Sequence, residues 1–143
     1  MPSLLGNFFI KALVNSPFHS ILGNSFAVIT VTGRKTGKPI TTPINVATVG
    51  GVLTVISLRD RTWWRNLREA RPAWLRRAGK RSRVRAELLE APEAVQSNLQ
   101  EYFAQYPGYA KYYQIPSGKD GKPDPRELEK LSDRHVIIHL YPL

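Results

Sequence analysis

Hydrophobic positions alternate with polar positions in six short stretches of the chain, and this period of two is typical of β-strands. Turn residues rich in glycine and proline separate the stretches, which favours consecutive hairpins in an antiparallel meander. The predicted strands cover residues 27–32, 40–49, 52–57, 73–77, 82–90 and 136–140.

Apolar residues with helical spacing occur in four further segments, at residues 4–15, 63–70, 91–106 and 126–134. We interpret the first as an amphipathic helix packed on the domain, with a lid or a membrane-surface role as the weaker alternative. A polar segment at 117–125 predicts a loop. Together these elements indicate an α+β protein with a single domain over residues 1–143. Its six-stranded, mainly antiparallel, barrel-like sheet would carry helices at its ends and flank.

The predicted strand at residues 82–90 has two very different faces. Side chains alternate along a strand, so three arginines lie on one face and apolar residues lie on the other. A strand face with three cations must be exposed to water or to an anion. The arginines are Arg81, Arg83 and Arg85, and the apolar residues are Val84, Ala86 and Leu88.

The charge of the chain is concentrated in one segment. The net charge is +10 over 143 residues, and +9 of it lies between Arg59 and Arg85, where ten arginines and one lysine face two acidic residues. This concentration indicates an anionic partner. Nucleic acid, an anionic membrane surface and a polyanionic small molecule all fit the charge equally well.

Several kinds of catalysis are not predicted. The chain has no cysteine, which excludes disulfides, thiolate nucleophiles and zinc fingers, and it has no serine elbow. Its three histidines are scattered, so no metal site is predicted. His135 and His139 lie four residues apart on a predicted strand, and we interpret them as a solvated pair rather than as metal ligands.

A basic hairpin at residues 33–38 is the first candidate for ligand binding. It combines three cations with two glycines and a hydroxyl group. Glycines let backbone N–H groups approach an anion, and an arginine fork suits phosphate or carboxylate oxygens. An exposed basic turn without a ligand has the same pattern, so the hairpin alone does not decide the function.

Two aromatic motifs are the other candidates. Trp63 and Trp64 are neighbours on a predicted helix, about 100° apart, so we do not expect both to face the core. One would pack inside, and the other would lie against a planar ligand, another subunit or the edge of the core. Tyr106, Tyr109 and Tyr112 are spaced by three and would share one side of a helical turn. A purely structural tyrosine cluster is the alternative.

In this order along the chain, the three motifs resemble the deazaflavin-dependent nitroreductase family, the F420-utilising oxidoreductases of the split β-barrel flavin-binding superfamily. The resemblance runs from about Phe26 to Tyr113, which is most of the chain. It rests on TGRKTGKP at residues 32–39 with TTP at 41–43, on a Gly-Gly hairpin and a strand ending in Ser57, on WWRNL at 63–67, and on YPGYAKY at 106–112.

The resemblance implies a role for each motif. The hairpin would hold the phosphate and acidic tail of the cofactor, and the following strand would line the deazaflavin ring. The tyrosines would wall the substrate pocket and assist protonation. The implied cofactor-binding residues are Arg34, Lys35, Thr36, Gly37, Thr41, Thr42, Pro43, Ile56, Ser57, Arg59, Trp64 and Asn66, and the implied catalytic residues are Ser57, Tyr106, Tyr109 and Tyr112.

The resemblance also implies a reaction, namely hydride transfer between reduced F420 and an electron-poor acceptor such as a quinone, an enone or a nitroaromatic. Two positions differ from the family pattern. Ile40 stands where members often have arginine, and the loop after Ser57 is shorter and lacks a lysine, so Arg59 or Arg61 would reach the phosphate instead. The arginines of residues 59–85 would complement the polyanionic cofactor tail.

We expect a cytoplasmic homodimer that binds the acidic deazaflavin and a small hydrophobic acceptor, with no nucleic acid and with peripheral contact to the inner membrane face as an option. The first alternative is an FMN-dependent reductase or flavin-binding protein of the same fold. The second is a non-enzymatic basic module that binds nucleic acid or an anionic membrane.

Overall fold

The computed structural model describes residues 26–69, 71–113, 115 and 122–143. The helix predicted over residues 4–15 and part of the loop predicted over 117–125 lie outside the described residues. Within the described part, the chain forms one antiparallel sheet with four helical segments packed on it or at its end.

The sheet has seven strands in the order β2-β1-β5-β6-β7-β4-β3, and all neighbouring pairs are antiparallel. The predicted strand over residues 40–49 is two strands, so the sheet has seven strands rather than six. The strands are β1 (Phe26–Thr32), β2 (Pro39–Asn45), β3 (Ala47–Val49), β4 (Val52–Leu58), β5 (Pro72–Arg77), β6 (Lys80–Leu89) and β7 (His135–Pro142).

The one-residue connection at Val46 joins the two edge strands of the sheet, and the sheet therefore curls. β2 and β3 are the two edge strands, yet only Val46 separates them in the sequence. Two residues of chain span at most about 7 Å, so the end of β2 and the start of β3 lie close together, and the sheet must curl to allow this. They are not neighbours in the sheet order, and the barrel therefore stays split along this line. This is the predicted split β-barrel.

Four helical segments flank the barrel. The segment predicted over residues 63–70 is a short 3₁₀ helix at Trp63–Leu67, and the side chain of Thr62, the residue before it, makes no capping hydrogen bond. None of the helices in the described part has the length and apolar character needed to cross a bilayer. The α-helices are α1 (Pro92–Gln105), α2 (Pro107–Tyr112) and α3 (Pro125–Arg134).

Two hydrophobic clusters lie on opposite faces of the sheet. The first fills the barrel with inward side chains of every strand except β3, together with three residues of the 3₁₀ helix. The second lies outside the barrel, where α1, α2 and α3 cover the outer side of β3 and β7. The predicted alternation in β6 is confirmed, since Val84 and Ala86 are buried in the first cluster and Arg81, Arg83 and Arg85 are exposed.

Candidate functional site

A cavity of about 210 Å³ lies in the split of the barrel, between the edge strand β2 and β4. The 3₁₀ helix and the tyrosine-rich region of α1 and α2 close its other sides. Three of the predicted motifs supply its lining, although they are far apart in the sequence. The predicted site residues that line it are Thr42, Pro43, Ile56, Ser57 and Tyr109.

Asn45 gives this cavity a buried acceptor that the sequence did not single out. It lines the cavity two residues beyond Pro43, and its Oδ1 atom is buried without a hydrogen-bond partner. A buried carbonyl oxygen left without a donor costs roughly 1–3 kcal/mol. The site therefore favours a ligand that brings an N–H or O–H group. Nothing in the local pattern distinguishes Asn45 from an ordinary polar residue at a strand end.

Ser57 and Trp63 are joined at the cavity wall. The Trp63 Nε1–H donates to Ser57 Oγ at 3.1 Å, and Ser57 Oγ donates to the Leu58 carbonyl oxygen at 3.3 Å. Both residues are buried and both line the cavity. The serine hydroxyl thus fixes the position of the indole as well as contributing a polar atom to the wall.

Three tyrosines form the opposite wall, and two of them were not predicted as site residues. Tyr102 and Tyr113 line the cavity with Tyr109, and the ring centroids of Tyr102 and Tyr109 are 5.1 Å apart. Burial, followed by the influence of Tyr113 and Tyr109, raises the pKa of Tyr102 far above its ordinary value. Tyr102 therefore stays protonated and acts as a hydrogen-bonding group. In the sequence, Val95, Leu99 and Tyr102 have the helical spacing of core residues, so nothing there marks Tyr102 as a site residue.

Tyr106 does not line the cavity. Its hydroxyl donates to the Thr48 carbonyl oxygen at 2.8 Å, and Gln105 Nε2 donates to the same oxygen at 2.9 Å. These bonds tie the end of α1 to β3, so Tyr106 positions the tyrosine wall. The side chain of Tyr112 lies outside the described part of the structure.

The basic hairpin extends from the same strand that lines the cavity. Gly33 N–H donates to the Lys38 carbonyl at 2.8 Å, and Gly37 adopts a φ of +71°, which favours glycine. The hairpin presents Arg34 and Lys35 in exposed positions. Thr42 follows Lys38 by four strand residues, or about 13 Å. The cations therefore lie about 13 Å along β2 from the cavity.

Asn66 connects the hairpin to the 3₁₀ helix. Its Oδ1 accepts a hydrogen bond from the Arg34 backbone N–H at 3.0 Å, and its Nδ2 donates to the Trp63 carbonyl at 3.0 Å. One side chain thus fixes the basic hairpin relative to a cavity wall. This contact between two motifs 32 residues apart explains their joint occurrence in the chain.

Both tryptophans are buried, and the expectation that only one could face the core was wrong. The 3₁₀ helix contacts both β1 and β6, so protein surrounds it on two sides. Trp63 and Trp64 are 6% and 2% exposed. Trp63 is the one that lines the cavity, whereas Trp64 donates from Nε1 to the Leu58 carbonyl at 3.1 Å. The lining position is therefore one residue earlier than the predicted Trp64.

Arg59 is occupied by the protein itself. Its Nη2 atom lies within hydrogen-bond distance of three backbone carbonyl oxygens, at 2.9 Å from Glu90, 3.3 Å from Ser132 and 2.9 Å from His135. These contacts hold the end of α3 against β6. Arg61 lines the cavity instead, so it is the arginine of this loop that is available to a ligand there.

The two histidines of β7 have separate partners. His135 Nδ1 lies 2.8 Å from the Leu131 carbonyl oxygen, and His139 Nε2 lies 2.9 Å from Asn98 Nδ2. Burial lowers the pKa of both imidazoles. His135 is itself buried, so it is a structural residue and not part of the expected solvated pair.

Comparison of the sequence with models of known protein families identifies the class of this protein. A sequence model of the F420H(2)-dependent quinone reductase family matches residues 12–119, about three quarters of the chain. The chain belongs to this family. It is an F420-dependent oxidoreductase with F420 as its cofactor, and both predictions from the motifs are confirmed. A comparison with curated proteins gives no match.

Solved structures confirm the fold. An FMN-binding protein related to pyridoxamine 5'-phosphate oxidase, from Nostoc punctiforme, has a TM-score of 0.55 and 13% identity over 95% of this chain and 78% of its own. The heme storage protein HutZ from Vibrio cholerae has a TM-score of 0.53 and 10% identity over 96% and 90%. A conserved hypothetical protein from Mycobacterium tuberculosis has a TM-score of 0.51 and 16% identity over 89% and 84%. These likenesses place the chain among the split β-barrels.

Proposed function

We propose that the cavity in the barrel split is where a hydride passes between reduced F420 and a quinone-type acceptor. The observation that supports this most is the convergence of separate motifs on one cavity. β2 brings Thr42 and Pro43, β4 brings Ser57, and α2 brings Tyr109. Each belongs to a motif that the resemblance assigns to the cofactor or the substrate.

The residues present fit F420. Pro43, Ile56 and Trp63 offer flat or apolar surface for a fused ring, and the unpartnered Asn45 Oδ1 is matched by an N–H or O–H donor on a ligand. At the hairpin, Arg34 and Lys35 would hold the phosphate and acidic tail, with Thr36 and Gly37 shaping the turn. Thr41 lies between the hairpin and the cavity.

When bound, reduced F420 supplies the hydride. The protein holds the two reactants in position, excludes water and supplies a proton. When a quinone accepts a hydride, one of its oxygens becomes an anion that must take up a proton to complete the hydroquinone. Tyr109 is a buried tyrosine at the cavity wall, and its ring centroid lies 5.1 Å from that of Tyr102. We assign the proton donation to Tyr109, with the Ser57 hydroxyl orienting the acceptor. Enones and nitroaromatics are further acceptors to test.

Four predicted residues would act through others. Asn66 positions Arg34, Trp64 supports Trp63 from within the barrel, and Tyr106 positions the tyrosine wall. Arg59 holds the sheet to α3. The expected homodimer and the role of Tyr112 remain predictions. Sedimentation equilibrium tests the first, and the turnover of Tyr112→Phe tests the second.

Cofactor binding is tested by titration with F420 and with FMN, following quenching of tryptophan fluorescence. Arg34→Ala should weaken F420 binding about tenfold to a hundredfold, because a hydrogen bond to a charged group contributes about 1.5–3 kcal/mol. Arg126→Ala, an exposed arginine on α3, is the matched control and should leave the Kd unchanged. Tight FMN binding without F420 binding would contradict the proposal.

Turnover is tested with the soluble quinone menadione, following the deazaflavin absorbance. Tyr109→Phe should lower kcat by a factor of about 100 or more, the contribution expected of a general acid, with little change in F420 affinity. Tyr106→Phe is the matched comparison, since it removes the same hydroxyl from a tyrosine outside the cavity lining, and kcat should change much less. Equal losses in the two variants would remove Tyr109 from the proton-donating role.

A further inference from the structure

The outer face of β1, β5 and β6 carries a cationic surface that the cavity does not use. Side chains paired across neighbouring strands lie on one face, so the register defines three parallel rows. We call this surface the arginine face. Its rows are Pro43–Val28–Arg76–Arg81, Thr41–Thr30–Trp74–Arg83 and Pro72–Arg85–Tyr141.

The arginine face is positively charged and has one exposed indole at its centre. Its rows contain four arginines and no acidic residue, and Glu87, the next outward residue of β6, pairs with His139 beyond the third row. The ion pairs Arg68–Glu90 and Lys130–Glu127 lie elsewhere. Trp74 is 38% exposed, an unusual position for a large aromatic side chain. The Arg81 and Arg83 guanidinium carbons lie 4.2 and 5.7 Å from its ring centroid, and Arg85 lies 4.7 Å from that of Tyr141.

The stacked guanidinium groups favour the phosphate groups of an anionic lipid surface over single-stranded nucleic acid. Proteins that bind single-stranded nucleic acid use open aromatic faces on which successive bases stack. Here guanidinium groups lie over both aromatic rings of the face, so the donors that point outward suit phosphate groups rather than bases. A second copy of the chain on this face would bring arginine against arginine. A tryptophan among arginines is instead the side-chain set found at the headgroup level of bilayers.

The arginine face continues into the wall of the cavity. Pro43 is both a lining residue of the cavity and the first member of a row that passes through Val28 to Arg76. Strands are about 4.8 Å apart, so Arg76 lies about 10 Å from the cavity wall. A shallow cleft of about 220 Å³ lies on the arginine face, lined by Thr30, Trp74 and Arg81 among others.

We propose that the arginine face docks on an anionic lipid bilayer, with Trp74 at headgroup depth and the arginines on lipid phosphates. The cavity would then open beside the surface from which a lipophilic quinone arrives. This part of the inference rests on the proposed function, whereas docking itself does not.

Docking is tested without cofactor or acceptor, by co-sedimentation with vesicles of phosphatidylcholine and phosphatidylglycerol at low salt. A basic residue near an anionic surface strengthens binding about fivefold, so Arg81→Gln/Arg83→Gln should lower the partition coefficient about 25-fold. Arg126→Gln/Arg134→Gln removes the same charge from exposed positions on α3 and should leave it unchanged. The wild-type tryptophan emission should shift to the blue on binding, and the shift should be lost in Trp74→Phe. Circular dichroism confirms that each variant is folded.

Several outcomes would overturn the proposal. These are equal binding to pure phosphatidylcholine, equal loss in the two double variants, tighter binding to a single-stranded oligonucleotide than to vesicles, and displacement from vesicles by F420 through its acidic tail. Menadione reduction needs no vesicle, so it separates the two ideas. Loss of vesicle binding with intact menadione turnover would refute docking alone, and vesicle binding without turnover would refute the proposed acceptor alone.

Discussion

The outer surface of the sheet is divided into two halves that differ in the charge of their side chains and in whether helices cover them. On the half formed by β3, β4 and β7, the outward residues include the small or aliphatic Ala47, Val49 and Ile137, and helices cover these three. On the half formed by β1, β5 and β6, the outward residues include four arginines and Trp74, and no described element covers them. The inward residues of β4 and β7 nevertheless belong to the same barrel core as those of β1, β5 and β6.

This difference shows what the two faces of a strand each determine. The inward residues specify that a strand exists and which side faces the barrel, and outside β3 they are mainly aliphatic on both halves. The outward residues decide whether a second layer can pack there. Burying an arginine without a partner is energetically costly, whereas burying Ile137 beneath the helices is favourable. The division therefore predicts that stability resides in the covered half and that the uncovered half is available for binding.

The largest effect should come from an aromatic side chain of the covered half. Phe103 of α1 is 2% exposed and packs in the outer cluster with Leu99 and Tyr102. Phe103→Ala should lower the free energy of unfolding by about 3–5 kcal/mol, through lost transfer energy and the cavity left behind. Trp74→Ala, the matched change on the uncovered half, should cost much less. Urea unfolding of both variants measures the difference, and equal losses would contradict the division.

An intermediate effect should appear as pH dependence in the covered half. Burial lowers the pKa of His135 in the folded protein, so between that pKa and about 6.5 the unfolded chain binds more protons than the folded one. Stability should therefore be constant above about pH 6.5 and fall as the pH drops below it. Thermal unfolding of His135→Asn should show a shallower fall in Tm over this range. His139, whose pKa is also lowered, accounts for the slope that remains.

The sequence predicted the strands well because alternation is a local property. It predicted the site less well because the cavity depends on contacts between motifs. Trp63 was not chosen over Trp64, since only the packing of the 3₁₀ helix against two strands decides which indole reaches the split. Tyr102 looked like an ordinary core residue for the same reason. The point at Val46 where β2 ends and β3 begins is not visible in the sequence, because it lies inside one continuous β-rich stretch.

The smallest effect should come from the arginine face. Arg83 lies 5.7 Å from the centroid of Trp74 and is exposed, so Arg83→Gln should change the free energy of unfolding by no more than about 0.5 kcal/mol. Arg81, at 4.2 Å, should contribute slightly more, about 0.5–1 kcal/mol. Urea unfolding at low and high salt measures both changes. A decrease of several kcal/mol in the free energy of unfolding would mean that the fold depends on these arginines. They would then not be free to change their contacts when a partner binds. A near-zero value would show that the fold does not need these side chains, which is the condition for a surface that is free to bind a partner.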